Sequence, residues 1–430
     1  MTVSPGPRSG AARQVLTLMS GTGLAQLIPI AISPLLTRLY APADFGVAAL
    51  YASVSAVLII IGSARYELAL LLPRIEAEGL DLLALALGVN VVVSLLTLLL
   101  VLALGTTFAQ WLGSPTLGPW LLLMPLSVVF SGLINALTLW SNRSSAYRLI
   151  STSRVLQSAA AAVAMLALGQ VHGQVHGGPQ GLLIGAVLGQ AVGAAVLLGP
   201  FWRRWGARLC AVRWRGARAQ ALRYREFPAV NLPHALLDAL QASGVIALIG
   251  GLFGPGLLGL YSLGNRVLRT PMATVGSAVA QVFQKRVADA LHYGGNVRAL
   301  VIGVLKRLGL VALLMIPVLA LAPALFAFVF GEAWREAGVY SQILGPWMLL
   351  NFLLSPLSQL PLLLGRQARA LGYGVAYQVA MLAPLLAAWW LSLSLRQALL
   401  SQSVAGSAVL LVYGAWLYRI SGRGPLRELV

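Results

Sequence analysis

The chain has 430 residues, of which 59% are hydrophobic and only 10% charged, and its mean hydropathy is +0.84. Soluble domains carry about a quarter charged residues, so a soluble globular fold is excluded. The net charge of +19 does not point to nucleic acid, because the basic residues lie between apolar runs, where anionic lipid headgroups meet them. The single cysteine, Cys210, excludes an intrachain disulfide and a cysteine metal site.

A helix crosses a bilayer in about 20 residues. Arg8 and Arg13 precede an apolar run from Val15 to Leu36. That run is too long for the core of a signal peptide and lacks a small-residue cleavage site, so a retained first span is expected over 15–39. Further spans are expected over 46–72, 80–104, 117–140, 154–170 and 179–200. Residues 201–227 then hold eight arginines, from Arg203 to Arg225, and one acid, Glu226. This cationic island reads as a cytoplasmic linker. Six more spans are expected over 228–252, 256–284, 299–330, 338–364, 370–392 and 398–418. The expected fold is all-α and polytopic. It has twelve transmembrane helices in two six-helix lobes, residues 1–200 and 228–430, joined by the linker 201–227.

Charge supports an even count. With the N-terminus in the cytoplasm, 25 of the 30 basic residues fall on the inner side. Arg38, Arg335 and Arg396 fall outside, and Arg266 and Arg269 lie within a span. That asymmetry puts both termini in the cytoplasm.

The halves echo one another. Leu39-Tyr40-Ala41-Pro42 with Gly46 returns as Leu252-Phe253-Gly254-Pro255 with Gly259, each between the first and second span of its half. Parallel repeats about a pseudo-two-fold axis along the membrane normal are expected. Gly181, Gly185, Gly189 and Gly193 form a four-residue ladder, which suits close helix packing in lipid and not a nucleotide loop. Prolines interrupt many spans, as in proteins whose helices bend or line a cavity.

Ionisable groups inside spans cost energy and are functional candidates. Arg266 and Arg269 sit near the centre of the eighth span, and Asp238 near the centre of the seventh at similar depth. An Asp238–Arg269 ion pair is expected, which leaves Arg266 as the cation facing a cavity. Arg65 lies in the inner part of span two, in RYELALLLP. On a helix its two-residue spacing from Glu67 keeps them apart. Arg38 lies near the outer end of span one, where it snorkels or faces the cavity. Arg143, Arg148 and Arg154 border the cytoplasmic face. Asn231, Gln241, Asn265, Asn351 and Gln359 bond either sugar hydroxyls or neighbouring helices. No D-x-D and no long outer loop offers a catalytic site. His172 and His176, in GQVHGQVHG, read as loop filler.

Three blocks carry a resemblance. PLLTRLYAPADFGVAALYASVSAVLIIIGSARYELALLLP (34–73) resembles the start of Wzx-type oligosaccharide flippases, often called polysaccharide biosynthesis proteins. FGPGLLGLYSLGNRVLRTP (253–271) is similar to their second-half counterpart, and FGEAWREAGVYSQILGPWMLLNFLLSPLS (330–358) to their segment linking spans nine and ten. The resemblance implies the multidrug/oligosaccharidyl-lipid/polysaccharide exporter superfamily: two six-helix lobes around a cationic cavity, open alternately to either face. It also implies an undecaprenyl-pyrophosphate-linked glycan as substrate; Arg65 falls in the first of these blocks, and Arg266 and Arg269 in the second. The cavity cations expected from the residues themselves are Arg266, Arg269, Arg65 and Arg38, with Asp238 as charge partner. Neither cofactor nor metal is implied. Proton or sodium coupling stays open, as do contacts with other polysaccharide-assembly proteins. The setting implied is the bacterial inner membrane, with anionic lipids at the cytoplasmic face. Two alternatives stand beside this reading. A drug antiporter of the same fold wants cavity acids, of which only Asp238 is central. A membrane glycan polymerase or ligase wants an extended periplasmic loop.

Overall fold

A computed structural model of the chain describes residues 21–171 and 178–422. His172, His176 and the first twenty residues lie outside the described residues. Among the described residues the chain is helical with no strand, and eleven helices are long and apolar enough to cross a membrane. In chain order they are α1 (Gly21–Leu39), α2 (Pro42–Gly62), α3 (Glu76–Trp111), α4 (Pro115–Arg143), α5 (Tyr147–Gln170) and α6 (Gln180–Cys210). After a short α7 (Trp214–Arg223) come α8 (Phe227–Tyr293) and α9 (Val297–Ala320). A short α10 (Ala322–Phe330) leads to α11 (Glu332–Leu363), α12 (Gln367–Trp390) and α13 (Leu395–Ser421).

Local chemistry sets the ends. Pro42 opens α2, and Asp44 Oδ2 accepts the Ala41 amide at 2.9 Å, which satisfies a donor that the helix leaves free. Glu76 and Glu78 occupy the first turn of α3, where the helix dipole favours negative charge. Asn296 Oδ1 accepts the Ala299 amide at 3.0 Å at the start of α9. On α3, Leu95, Leu96, Leu99 and Leu100 are all more than half exposed. Such a stripe suits acyl chains and no aqueous surface.

The long α8 has 67 residues, about 100 Å of helix, enough to cross a bilayer more than once. Gly254 breaks it, with φ 83° and ψ 165°. Only glycine adopts that conformation at little cost. The two expected spans 228–252 and 256–284 are thus the two limbs of α8. The matching turn between α1 and α2 is also extended, with Ala41 at φ −74° and ψ 160°. Both copies of the sequence repeat therefore interrupt the helix at the residue before the proline.

Contacts divide the chain into two compact units, Met1–Gly256 and Leu257–Val430. The division falls just after the break in α8.

In the first unit α5 and α6 pack along the glycine ladder. A Cβ on Gly189 would lie 2.7 Å from the Gln157 carbonyl, and Ser153 Oγ donates to Gly193 O at 2.8 Å. The first limb of α8 joins this unit, where Ser243 Oγ donates to Ser53 O at 2.8 Å. The two repeat turns also meet here, because a Cβ on Gly46 would overlap the Pro255 backbone.

The arginine island is not a loop. Its first ten residues complete α6, and Trp214–Arg223 form α7. Arg208 Nη1 donates to Glu76 Oε1 at 2.9 Å, and Arg223 Nη1 to Glu78 Oε2 at 3.3 Å. Two exposed ion pairs thus tie the island to the start of α3. Arg143 and Arg154 also bond within the protein: Arg143 Nη1 to Leu70 O at 3.1 Å, and Arg154 Nη1 to Thr22 Oγ1 at 2.6 Å.

In the second unit the expected span 299–330 is two helices, α9 and α10, parted at Leu321 with Pro323 in the first turn of α10. Arg298 stacks over Tyr418 at 4.6 Å, so the start of α9 and the end of α13 share one end of the unit. Lys285, Arg286, Lys306 and Arg307 lie within four helical turns of that end. Trp389 and Trp390, 68% and 83% exposed, close α12. Exposed tryptophans at span ends are the pattern of a membrane–water interface.

Candidate functional sites

Each unit carries one site of polar chemistry within its apolar helices. In the first unit, α2 stops at Gly62, where Asn90 from α3 fits against the missing side chain: a Cβ on Gly62 would lie 2.9 Å from Asn90 Oδ1. Asn90 Nδ2 donates to Val129 O on α4 at 3.1 Å. The backbone then turns left-handed at two non-glycine residues, Ala64 (φ 46°) and Arg65 (φ 64°). Each such residue costs about 1–3 kcal/mol and persists only where its surroundings hold it. A 3-10 helix follows over Tyr66–Leu71. The expected continuous span 46–72 is corrected accordingly.

This break brings Arg65 to Glu67. Their Nη1 and Oε1 atoms are 3.9 Å apart, although on a helix the spacing would separate them. Glu67 is 5% exposed at its side chain and also accepts a hydrogen bond from Ser63 Oγ. Two donors therefore offset the cost of burying a carboxylate. Arg65 Nε is buried with no hydrogen-bond partner, so the guanidinium keeps donor capacity. A broken helix with free polar groups, lodged against protein, is how membrane transporters build binding sites.

In the second unit the site lies on the second limb of α8. Tyr261, Asn265 and Arg269 recur every fourth residue and so share one face. Tyr261 is buried, whereas Arg266 and Arg269 are exposed. Arg269 lies within electrostatic reach of the hydroxyls of Tyr261 and of Tyr377 on α12. Trp347 Nε1 on α11 donates to Tyr377 Oη at 3.2 Å. One turn beyond Trp347, Asn351 borders a cavity of about 190 Å³ together with Tyr373, Tyr377 and Tyr413. Tyr373, Tyr413 and Trp416 stack with centroids 5.1–5.8 Å apart. Asn265 Oδ1 is buried and has no partner. Arginine, amide and tyrosine hydroxyls along apolar helices can bind an oxyanion and hydroxyl groups together.

Arg266 and Arg269 thus lie on one limb, as the sequence analysis expected, and Asn265 and Asn351 join them in this unit. The four tyrosines were missed. Their signal was the spacing of Tyr373 and Tyr377 in GYGVAYQ, which puts two hydroxyl-bearing rings on one face. Arg38 is exposed at the end of α1. The 21 residues of α2, about 30 Å of helix, separate it from Arg65. Asp238 lies 3.4 Å from His234 Nδ1, one turn earlier, with both side chains mostly exposed. Among the described residues its ion-pair partner is thus His234 and not the expected Arg269. Among the described residues no cluster of His, Cys, Asp and Glu is arranged to hold a metal.

These features define a multi-pass helical membrane protein with a transporter fold. The structure of the lipid II flippase MurJ in an inward closed conformation matches 95% of this chain and 90% of its own, with a TM-score of 0.64 at 10% identity. The MATE multidrug transporter DinF-BH matches over 97% and 96%, with a TM-score of 0.57 at 17% identity. An inward-facing multidrug resistance MATE transporter of the MOP superfamily matches over 94% of each chain, with a TM-score of 0.55 at 14% identity. These likenesses concern the fold alone.

A family model described as polysaccharide biosynthesis protein matches residues 35–338, and the chain belongs to that family. The teichuronic acid biosynthesis protein TuaB of Bacillus subtilis (strain 168) is 28% identical over 141 residues. That match spans 33% of this chain and 29% of TuaB.

Proposed function

We propose that the protein is a flippase, not an enzyme, carrying a polyprenyl-pyrophosphate-linked oligosaccharide from the cytoplasmic to the periplasmic leaflet of a bacterial inner membrane. On this reading, counting each limb of α8 as a span gives twelve spans in two six-helix lobes, with both termini and the arginine island in the cytoplasm. The carrying observation is the stripe of Tyr261, Asn265 and Arg269 with Arg266 beside it. Arg266 stands eleven residues past Pro255, about 16 Å along the helix and half-way through a hydrocarbon core of about 30 Å. An arginine at that depth costs about 2.5–3.5 kcal/mol on insertion scales. A ligand bearing phosphate oxygens offsets that cost through charge-assisted hydrogen bonds. Tyrosine and asparagine groups serve the sugar, which no hydrocarbon solvates. Membership of a polysaccharide biosynthesis family supports this choice of cargo.

Arg266 and Arg269 supply the cations that hold the pyrophosphate, and Arg65, where α2 ends, is a further candidate cation in the first unit. With the interior negative, each negative charge moved outward gains about 2.3 kcal/mol per 100 mV. The test is a proteoliposome assay of headgroup accessibility using purified protein and polyprenyl-pyrophosphate-linked sugars. Wild type should expose the headgroup on the far leaflet, and Arg266→Ala should not. Equal transport by that variant would falsify the role given to the stripe.

A further inference from the structure

A second anion-and-apolar site lies in the second unit, apart from the tyrosine stripe. The second limb of α8 runs down to the turn at 294–296, and α9 returns from it. Between them is a groove of about 480 Å³. Its walls are apolar, with Val282, Phe283, Ala299 and Gly303 among them, and two arginines, Arg286 and Arg307, are its charged lining residues. Val282, Arg286, Ala299 and Arg307 are exposed, so the groove opens outward.

The geometry of two antiparallel helices makes the arginines converge. Helical side chains lean toward their own N-terminus. Arg286 therefore leans away from the turn, toward Val282, and Arg307 leans toward the turn, along Gly303. Arg286 is nearer the turn and Arg307 deeper, so the two guanidinium groups approach one level. No acid lines the groove; Asp289, one turn past Arg286, is exposed and outside it. Neither arginine forms an ion pair among the described residues. A Cβ on Gly303 would meet nothing within 4 Å, so this glycine leaves the groove its width. Arg208, Arg223, Arg335 and Arg396 are paired with acids. Here two unpaired arginines line one apolar trough.

We propose that this groove binds one anionic phospholipid, with the phosphate between Arg286 and Arg307 and the start of one acyl chain along Val282, Gly303 and Ala299. The charge of the lining requires an anion, and its apolar walls require a chain attached to it. The volume lies within the range of small-ligand sites, about 300–1,000 Å³, and is too small for a sugar-bearing polyprenyl carrier. The proposal does not rest on the flippase reading.

The test uses full-length protein stripped of lipid in detergent and titrated with phosphatidylglycerol, with bound lipid counted by native mass spectrometry. Wild type should retain one phosphatidylglycerol that phosphatidylcholine does not replace. Arg286→Gln/Arg307→Gln should weaken retention at least about tenfold, the loss expected when charge-assisted hydrogen bonds are removed. Gly303→Leu, which keeps both charges and fills the trough, should weaken it similarly. Arg148→Gln, in a different groove of the first unit, should leave it unchanged. Thermal unfolding in lipid-free detergent checks that each variant is folded. Equal retention by wild type and Gly303→Leu would overturn the proposal. So would displacement by millimolar inorganic phosphate, or tighter binding of a polyprenyl phosphate.

Discussion

Arg65 and Arg266 are both arginines in apolar stretches, but the chain holds them in opposite ways. Arg65 stands where a helix has given out. Its backbone is left-handed, its side chain is 28% exposed, and the carboxylate of Glu67 is 3.9 Å away. Arg266 stands on an unbroken helical limb, exposed, with no carboxylate paired to it among the described residues. The first site stores strain and offsets its own charge. The second leaves its charge for something else to offset. A local acid makes an arginine part of the structure, and the lack of one makes it a receptor for an anion.

Removing the receptor should have the largest effect. Arg266→Ala/Arg269→Ala deletes two groups whose hydrogen bonds to an oxyanion are worth about 1.5–3 kcal/mol each, so initial flipping rates in proteoliposomes should fall by roughly 10²–10⁴. Because no internal pair is broken, the thermal midpoint should hold. A large drop in the midpoint would mean that these arginines are structural, and the contrast with Arg65 would collapse.

The converse substitution is Glu67→Gln. It leaves the partly exposed Arg65 facing a neutral group, and losing the pair should cost about 1–3 kcal/mol. Thermal unfolding should show the loss, and the double variant Arg65→Gln/Glu67→Gln should recover much of it. If Glu67→Gln is as stable as wild type, the pair contributes nothing and Arg65 is as free as Arg266.

Much of this contrast was invisible in the sequence. Apolar runs and the positions of arginine located the spans, because a bilayer demands about 20 apolar residues whatever their neighbours. The glycine ladder of α6 and the paired Tyr-Ala-Pro and Phe-Gly-Pro turns were legible for the same reason: small residues and prolines act locally. The break at Ala64 was not. Gly62, two residues earlier, is its only local mark, and RYELALLLP reads as helix. Asn90 from α3 fits against Gly62 where α2 ends, a contact with no local signature. The arginine island reads as a linker, and its ion pairs with Glu76 and Glu78, more than 120 residues earlier, have no local signature. The tyrosines read as apolar core, since only the packing of α11, α12 and α13 reveals where their hydroxyls go.

A smaller test concerns how the second site treats a neutral ligand group. Tyr377 receives a hydrogen bond from Trp347 and lies near Arg269. Tyr377→Phe removes one hydroxyl, worth about 1 kcal/mol, so transport should slow by roughly fivefold. Stability should change little, because Trp347 is left with one unmet donor at most. If the site instead serves only the pyrophosphate, Tyr377→Phe should transport at the wild-type rate while Arg269→Ala does not.

The smallest effect separates strain from charge in the first site. Ala64 contributes only a methyl group, and that methyl opposes the left-handed conformation its backbone adopts. Ala64→Gly removes the steric cost, about 1–2 kcal/mol for a residue with a Cβ, but gives the unfolded chain more freedom, about 0.4–1 kcal/mol in the other direction. The net should be a stabilisation below about 1 kcal/mol, read as a small rise in the thermal midpoint. Transport is the informative measurement. If the strained turn is only the price of presenting Arg65, the glycine variant should be more stable and equally active. If the turn must move while the headgroup passes, the same variant should gain stability and change its rate, and Arg65 would then belong with the moving parts and not with the scaffold.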